Sequence, residues 1–85
     1  MLKVLIINDD VTPMEFVVEL LGRVFGKSRD EAIKTMLEAH RMGEAVCGVY
    51  ADARAHELMS NATALVRDAG HPLHFSLAGG TGQPD

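Results

Sequence analysis

Apolar and polar positions along the chain follow two periods, and each stretch of constant period marks an element. Residues Leu2 to Ile7 are aliphatic except for Lys3 and rich in β-branched side chains, which predicts a strand. From Pro13 to Phe25 apolar residues recur at helical spacing and stop before Gly26, which predicts a helix. Ser28 and Glu31 form a capping-box pair, and a second helix runs from there to about Met42, closed by Gly43. Ala45 to Ala51 contains Val46, Val49 and Tyr50 and reads as a strand interrupted at Gly48. Asp52 can cap a third helix reaching Ala69, ended by Gly70. Leu73, Phe75 and Leu77 alternate with His74 and Ser76, giving a half-buried last strand. The expected fold class is α+β: a small three-stranded antiparallel sheet packed against three helices in the order β-α-α-β-α-β. Residues 1–78 are expected to form one core domain, and the Gly/Pro-rich stretch 79–85 a flexible C-terminal tail.

Two segments depart from what folding alone requires. Thr12, Pro13 and Glu15 suit the N-cap, the first helical residue and the capping-box partner of the first helix. The preceding Asn8, Asp9 and Asp10 exceed what a turn needs and put one amide and two carboxylates at the mouth of an apolar helix. Such a mouth suits a ligand with a positive charge at one end and an apolar group at the other. The first helix is also short of polar surface: Glu15, Glu19 and Arg23 form one narrow stripe, and all else from Met14 to Phe25 except Gly22 is apolar. Either the helix is packed on two sides or part of its apolar surface is a binding site. On the second helix Met36 and His40 are four residues apart and Ala39 lies beside His40, so these three share a face.

Composition narrows the choice of function. Eighty-five residues make one small domain, and 47% apolar content is enough for a modest core. A net charge of −4 with no Lys/Arg run argues against a nucleic-acid partner. A single Cys47 excludes an internal disulfide and fits a reducing compartment. With no signal-peptide pattern and no apolar run of about 18 residues, no membrane partner is expected and the cytoplasm is the expected location.

Enzymatic constellations are weak. The strand ending in Asn8-Asp9-Asp10 resembles the first strand of a receiver domain, but two consecutive helices follow where that fold needs alternation. Asp9, Asp10 and His40 lack a defined metal-ligand spacing. Cys47 lies among apolar residues and reads as core rather than nucleophile, and Ser28 and Ser60 have no base nearby in sequence. His71 and His74 flank Pro72-Leu73 and are expected in a turn and on an exposed strand face. No nucleotide-binding glycine loop is present, and neither a cofactor, a metal nor catalysis is expected.

Asn8-Asp9-Asp10, the run Thr12-Pro13-Met14-Glu15-Phe16-Val17, Met36-Leu37 with His40, Val46-Cys47-Gly48-Val49-Tyr50 and His71-Pro72-Leu73 together resemble the ClpS adaptor family. The resemblance runs from Lys3 to Leu77 in the family's order. It implies a monomeric adaptor that binds proteins with a large hydrophobic first residue (Phe, Tyr, Trp or Leu). Such N-degron proteins pass to a Clp AAA+ ATPase of the ClpA or ClpC type, in a bacterium rather than a plastid. By resemblance Asn8, Asp9 and His40 bind the α-amino group, and Asp10 supports the loop. Thr12, Pro13, Met14, Val17, Met36, Ala39 and Leu73 would line the hydrophobic pocket. Val11 stands where the family more often has an aromatic residue or His, a position that bears on contacts to the degron's following residues; Ala39 stands where many members have a larger aliphatic, so a roomier pocket is expected. The run Ala51-Asp52-Ala53-Arg54-Ala55-His56-Glu57-Leu58 differs from the family's ATPase-docking patch. The family's mobile N-terminal extension is expected to be missing, since the first strand begins at Leu2. The alternative reading is an α+β interaction module like the ribosomal stalk domain, without N-terminus specificity. A metal-dependent hydrolase using Asp9 and Asp10 is a third and remote class.

Overall fold

A computed structural model describes residues 1–79. Six elements follow one another: β1 (Leu2–Ile7), α1 (Met14–Phe25), α2 (Arg29–Met42), β2 (Glu44–Tyr50), α3 (Asp52–Ala69) and β3 (His74–Gly79). The strands form one antiparallel sheet in the order β2-β1-β3, so the most aliphatic strand is the central one. This is the α+β arrangement that the sequence pattern predicts. The expected tail lies outside the described residues from residue 80 onward, and Gly79 is the last residue of β3.

Strand parity decides which side chains enter the core. Val4 and Ile6 point to the helices and are buried, while the alternate residues Lys3, Leu5 and Ile7 keep partial exposure on the other face. Strand β2 would follow the same alternation but for one extra residue. Val4 pairs with Gly48 and Leu5 with Val46, leaving Cys47 as a bulge. The bulge shifts the parity, so that Cys47 is buried in the core while Val46 and Val49 stay exposed. The interruption expected at Gly48 is therefore centred one residue earlier. Gly48 answers a different need, because the Tyr50 ring lies over it and an added Cβ would stand 2.5 Å from the ring's Cζ. Burial raises the Cys47 thiol pKa to about 12, which leaves it a neutral core side chain.

Three helices cover the inner face. Val17, Val18, Leu20 and Leu21 of α1 join Val4 and Ile6 in the core, with Ala32 and Ala39 from α2 and Ala55, Ala62 and Val66 from α3. Helix α1 packs on α2 and on α3, which accounts for its narrow polar stripe of Glu15, Glu19 and Arg23. Small residues on α2 and α3 allow these close contacts.

Helix ends agree with the sequence where capping is local and disagree where a stronger partner competes. At α2 the Ser28 hydroxyl accepts from the Glu31 N–H at 3.2 Å, and the Glu31 carboxylate accepts from the Ser28 N–H at 3.3 Å. At α1 the expected capping box is absent. Pro13, in extended conformation, is the N-cap and makes no side-chain capping bond. The Thr12 hydroxyl donates instead to Asp9, and Glu15 pairs with Arg29 of α2 at 3.1 Å. Both partners are charged and hold these groups more strongly than backbone amides would. At α3 the N-cap is Ala51 rather than Asp52, which is the first helical residue and lies 3.2 Å from the Met1 ammonium.

Candidate functional site

The C-terminal end of β1, the start of α1 and the last turn of α2 enclose a cavity of about 290 Å³. Its position follows from two backbone features. Gly43 ends α2 in the left-handed region at φ 91°, where a side chain would be strained, and its N–H closes on the Ala39 carbonyl at 2.8 Å. The Gly43 carbonyl then accepts from the Asn8 N–H at 2.9 Å. This one bond carries the β1–β2 pairing past the end of β1 and ties Asn8 to the last turn of α2, which carries His40.

The loop between β1 and α1 is folded by a single side chain. Asp9 Oδ2 accepts from the Val11 N–H at 2.9 Å, the Thr12 N–H at 2.8 Å and the Thr12 hydroxyl at 3.1 Å. An aspartate that captures the amides two and three residues ahead makes a tight local turn. Burial would by itself raise the Asp9 carboxyl pKa. The Thr12 N–H, Thr12 hydroxyl and Val11 N–H outweigh burial, with nearby His71 adding to them, and hold it below the usual value. Among the described residues, Asp9 Oδ1 is the one buried side-chain oxygen or nitrogen without a partner.

Every residue that the resemblance assigns to the ammonium site, the loop or the hydrophobic pocket lies on this cavity. Asn8, Asp9, Asp10, Thr12 and Pro13 come from the loop and Met14 and Val17 from α1. Met36, Ala39 and His40 come from α2, and Leu73 from the segment before β3. Two lining residues were missed, Ile6 and Val11. Ile6 is the last inward-facing residue of β1, two before Asn8, so strand parity alone could have placed it beneath the cavity. Val11 is 72% exposed at the loop tip; the resemblance marked it as a departure from the family without placing it on the pocket.

The carboxylates, the amide and the imidazole of the lining are exposed or half-buried, and its most buried apolar side chains lie beneath them. Asp10 and His40 are exposed, Asn8 and Asp9 half-buried, while Val17, Ala39 and Leu73 are buried. Met14 also lines the cavity and is 52% exposed. The last turn of α2 adds the negative partial charge of a helix C-terminus to the two carboxylates, so the mouth favours a cation. His71 is tied elsewhere, its ring edge-on to Phe16 at 4.6 Å between centroids, and His74 is exposed on β3. No helix is long and apolar enough to cross a membrane among the described residues.

Comparison with known proteins is consistent across sequence and structure. The family model for ATP-dependent Clp protease adaptor protein ClpS matches residues 1–76. An ATP-dependent Clp protease adapter protein ClpS from Leptospira biflexa is 51% identical over 76 residues, which cover 89% of this chain and 67% of that protein. One from Gluconobacter oxydans is 46% identical over 77 residues, covering 91% of this chain and 65% of that protein. The chain thus spans about two thirds of the length of these curated relatives. The structure of Agrobacterium tumefaciens ClpS2 bound to L-phenylalaninamide matches with a TM-score of 0.88 at 42% identity, over 91% of this chain and 93% of that one.

Proposed function

This chain belongs to the ClpS family of ATP-dependent Clp protease adaptors, and from that premise we propose that it binds N-degron proteins and hands them to a Clp ATPase. The degron is a free α-amino group beside a bulky hydrophobic first residue: Phe, Tyr, Trp or Leu. The receiving ATPase is of the ClpA or ClpC type, the adaptor acts as a monomer without catalysis, and the setting is the bacterial cytoplasm. The relatives are named adaptors, and those matched here are bacterial.

The observation that carries this reading is the polarity gradient of the cavity. An α-ammonium has three donors and no acceptor. Asn8, through its side-chain oxygen, and His40, through a neutral ring nitrogen, are the acceptors at the mouth, backed by the charges of Asp9 and Asp10. One bond from the ammonium, the first side chain descends between Met14, Val17, Met36, Ala39 and Leu73. Phenylalaninamide, the ligand of the Agrobacterium relative, has this same pairing of a free amine and an apolar side chain.

The test is peptide binding measured by fluorescence anisotropy. A peptide beginning with Phe should bind, and N-acetylation should abolish the charge and weaken it strongly. His40→Ala and Asn8→Ala should each weaken binding by about 1.5–3 kcal/mol, the scale of hydrogen bonds to charged groups, or roughly 10- to 100-fold. Indifference to acetylation would replace this reading with a general interaction module. Delivery is read separately, as degradation of a Phe-initiated substrate by the cognate ATPase and its peptidase.

A further inference from the structure

Asp9 is placed at the mouth of the cavity, yet its bonding points inward to its own loop. Oδ2 holds three donors, all from Val11 and Thr12, and so has no free capacity for a ligand. The loop is therefore fastened at two points: Asn8 to the Gly43 carbonyl, and Thr12 to Asp9. Pro13 follows at once with a fixed φ of −61° and leads directly into Met14 at the start of α1. Only one residue, with its φ fixed by the ring, separates the Thr12 anchor from Met14.

We propose that Asp9 is a positioning residue: through Thr12 it fixes where Met14 stands over the cavity, and so sets which first side chains the site admits. This rests on the degron-binding reading above and adds a selectivity role to it. Met14 lines the cavity while half exposed, the place in it where an entering degron's Cβ would pass, so its placement bears most on side chains that branch there. Without the clamp the start of α1 loosens, Met14 moves outward, and Ile gains relative to Leu. The effect differs from losing an ammonium acceptor, which lowers affinity for Leu and Ile peptides alike.

The rescue pattern is specific. Asparagine makes the same local turn as aspartate, with its amide oxygen accepting from both N–H groups. Its NH₂ would replace Oδ1, which has no partner in the protein, so no protein bond is lost there. The experiment measures Leu- and Ile-initiated peptides against wild type, Asp9→Asn, Asp9→Ala, Thr12→Val, the double variant Asp9→Ala/Thr12→Val and Asn8→Ala. Asp9→Ala should narrow the Leu:Ile affinity ratio by about tenfold or more, the lower end of what one lost hydrogen bond to a charged group is worth. Thr12→Val should narrow it less and add nothing to Asp9→Ala, because both remove the same contact. Asp9→Asn should keep the wild-type ratio, and Asn8→Ala should lower both affinities without changing it.

A ratio unmoved by Asp9→Ala, or Asp9→Asn behaving like Asp9→Ala, would overturn the clamp while leaving degron binding intact. Failure of the wild type to bind either peptide would overturn the underlying reading and this inference with it. Should Asp9→Ala fail to fold, Thr12→Val still decides, since it swaps the hydroxyl for a methyl of similar size. Amide hydrogen exchange at Val11 and Thr12 gives an independent check: slow in wild type and Asp9→Asn, and accelerated in Asp9→Ala.

Discussion

Ala39 lines the cavity from α2 as well as joining the core, and Ala39→Val is expected to reduce the depth available to a ligand. The residue is 3% exposed, faces the cavity from α2, and sits beside His40 without contributing a polar group. Valine adds two carbons, and branching at Cβ in a helix leaves them one strongly preferred rotamer, so they cannot swing aside. An indole, with more than twice the heavy atoms of an isobutyl group, needs most of that depth. Denying it two methylene-sized contacts costs about 0.8 kcal/mol each, or about 1.6 kcal/mol together. Forced overpacking raises the upper bound to about 3 kcal/mol. Trp-initiated peptides should therefore bind about 15- to 150-fold more weakly, while Leu-initiated ones change by less than about fourfold. Anisotropy titrations of Trp, Phe, Leu and Ile peptides on both proteins measure this, with melting curves to check that the fold survives. Equal losses for Trp and Leu would show that Ala39 does not set the depth.

Four further expectations follow from the packing and titration described above. Gly48→Ala should destabilise the fold by about 1–3 kcal/mol by displacing the Tyr50 ring, and Tyr50→Ala should make that substitution nearly neutral in a double-mutant cycle followed by urea unfolding. Cys47, with its thiol raised to about 12, should resist alkylation at pH 8 in the native state and react only after unfolding. The same shift means the unfolded thiol ionises first, so its stabilising contribution is present below about pH 8.5 and declines above it by up to about 1.4 kcal/mol per pH unit, a slope that Cys47→Ala should remove. The lowered Asp9 carboxyl acts in the opposite direction: its contribution is present above about pH 3.9 and lost on acidification, so wild type and Asp9→Asn should converge in melting temperature below about pH 4.

What could be read from the sequence was whatever depends on near neighbours. The Ser28–Glu31 cap involves residues three apart and forms as its pattern predicts. The same pattern at Thr12–Glu15 misled, because Asp9 three residues upstream takes the hydroxyl and Arg29 fourteen residues downstream takes the carboxylate. A local motif does not reveal a competing charge from outside its window. The Cys47 bulge was visible only as an interruption, since its position depends on pairing with Val4 and Leu5. The candidate site was more legible than the caps, because its residues came through resemblance to a family motif rather than through periodicity. Ile6 escaped that route, being an ordinary core residue whose outer end happens to floor the cavity. The Asp9 turn within the loop was equally hidden, as resemblance marked Asp9 only as a ligand group.

The bond from the Asn8 amide to the Gly43 carbonyl also bears on how quickly a ligand comes and goes. Asn8 and His40 are far apart in sequence, yet a sheet-like contact joins the backbones that carry them, so both halves of the mouth are in place before anything arrives. A socket assembled in advance has little to rearrange on encounter, and association should run at the unhindered rate of about 10⁵–10⁷ M⁻¹s⁻¹ for good and poor first residues alike. Discrimination would then reside in residence time. On the proposed reading, a tightly held first residue would stay long enough to be passed on, and a poor one would depart before any transfer could begin.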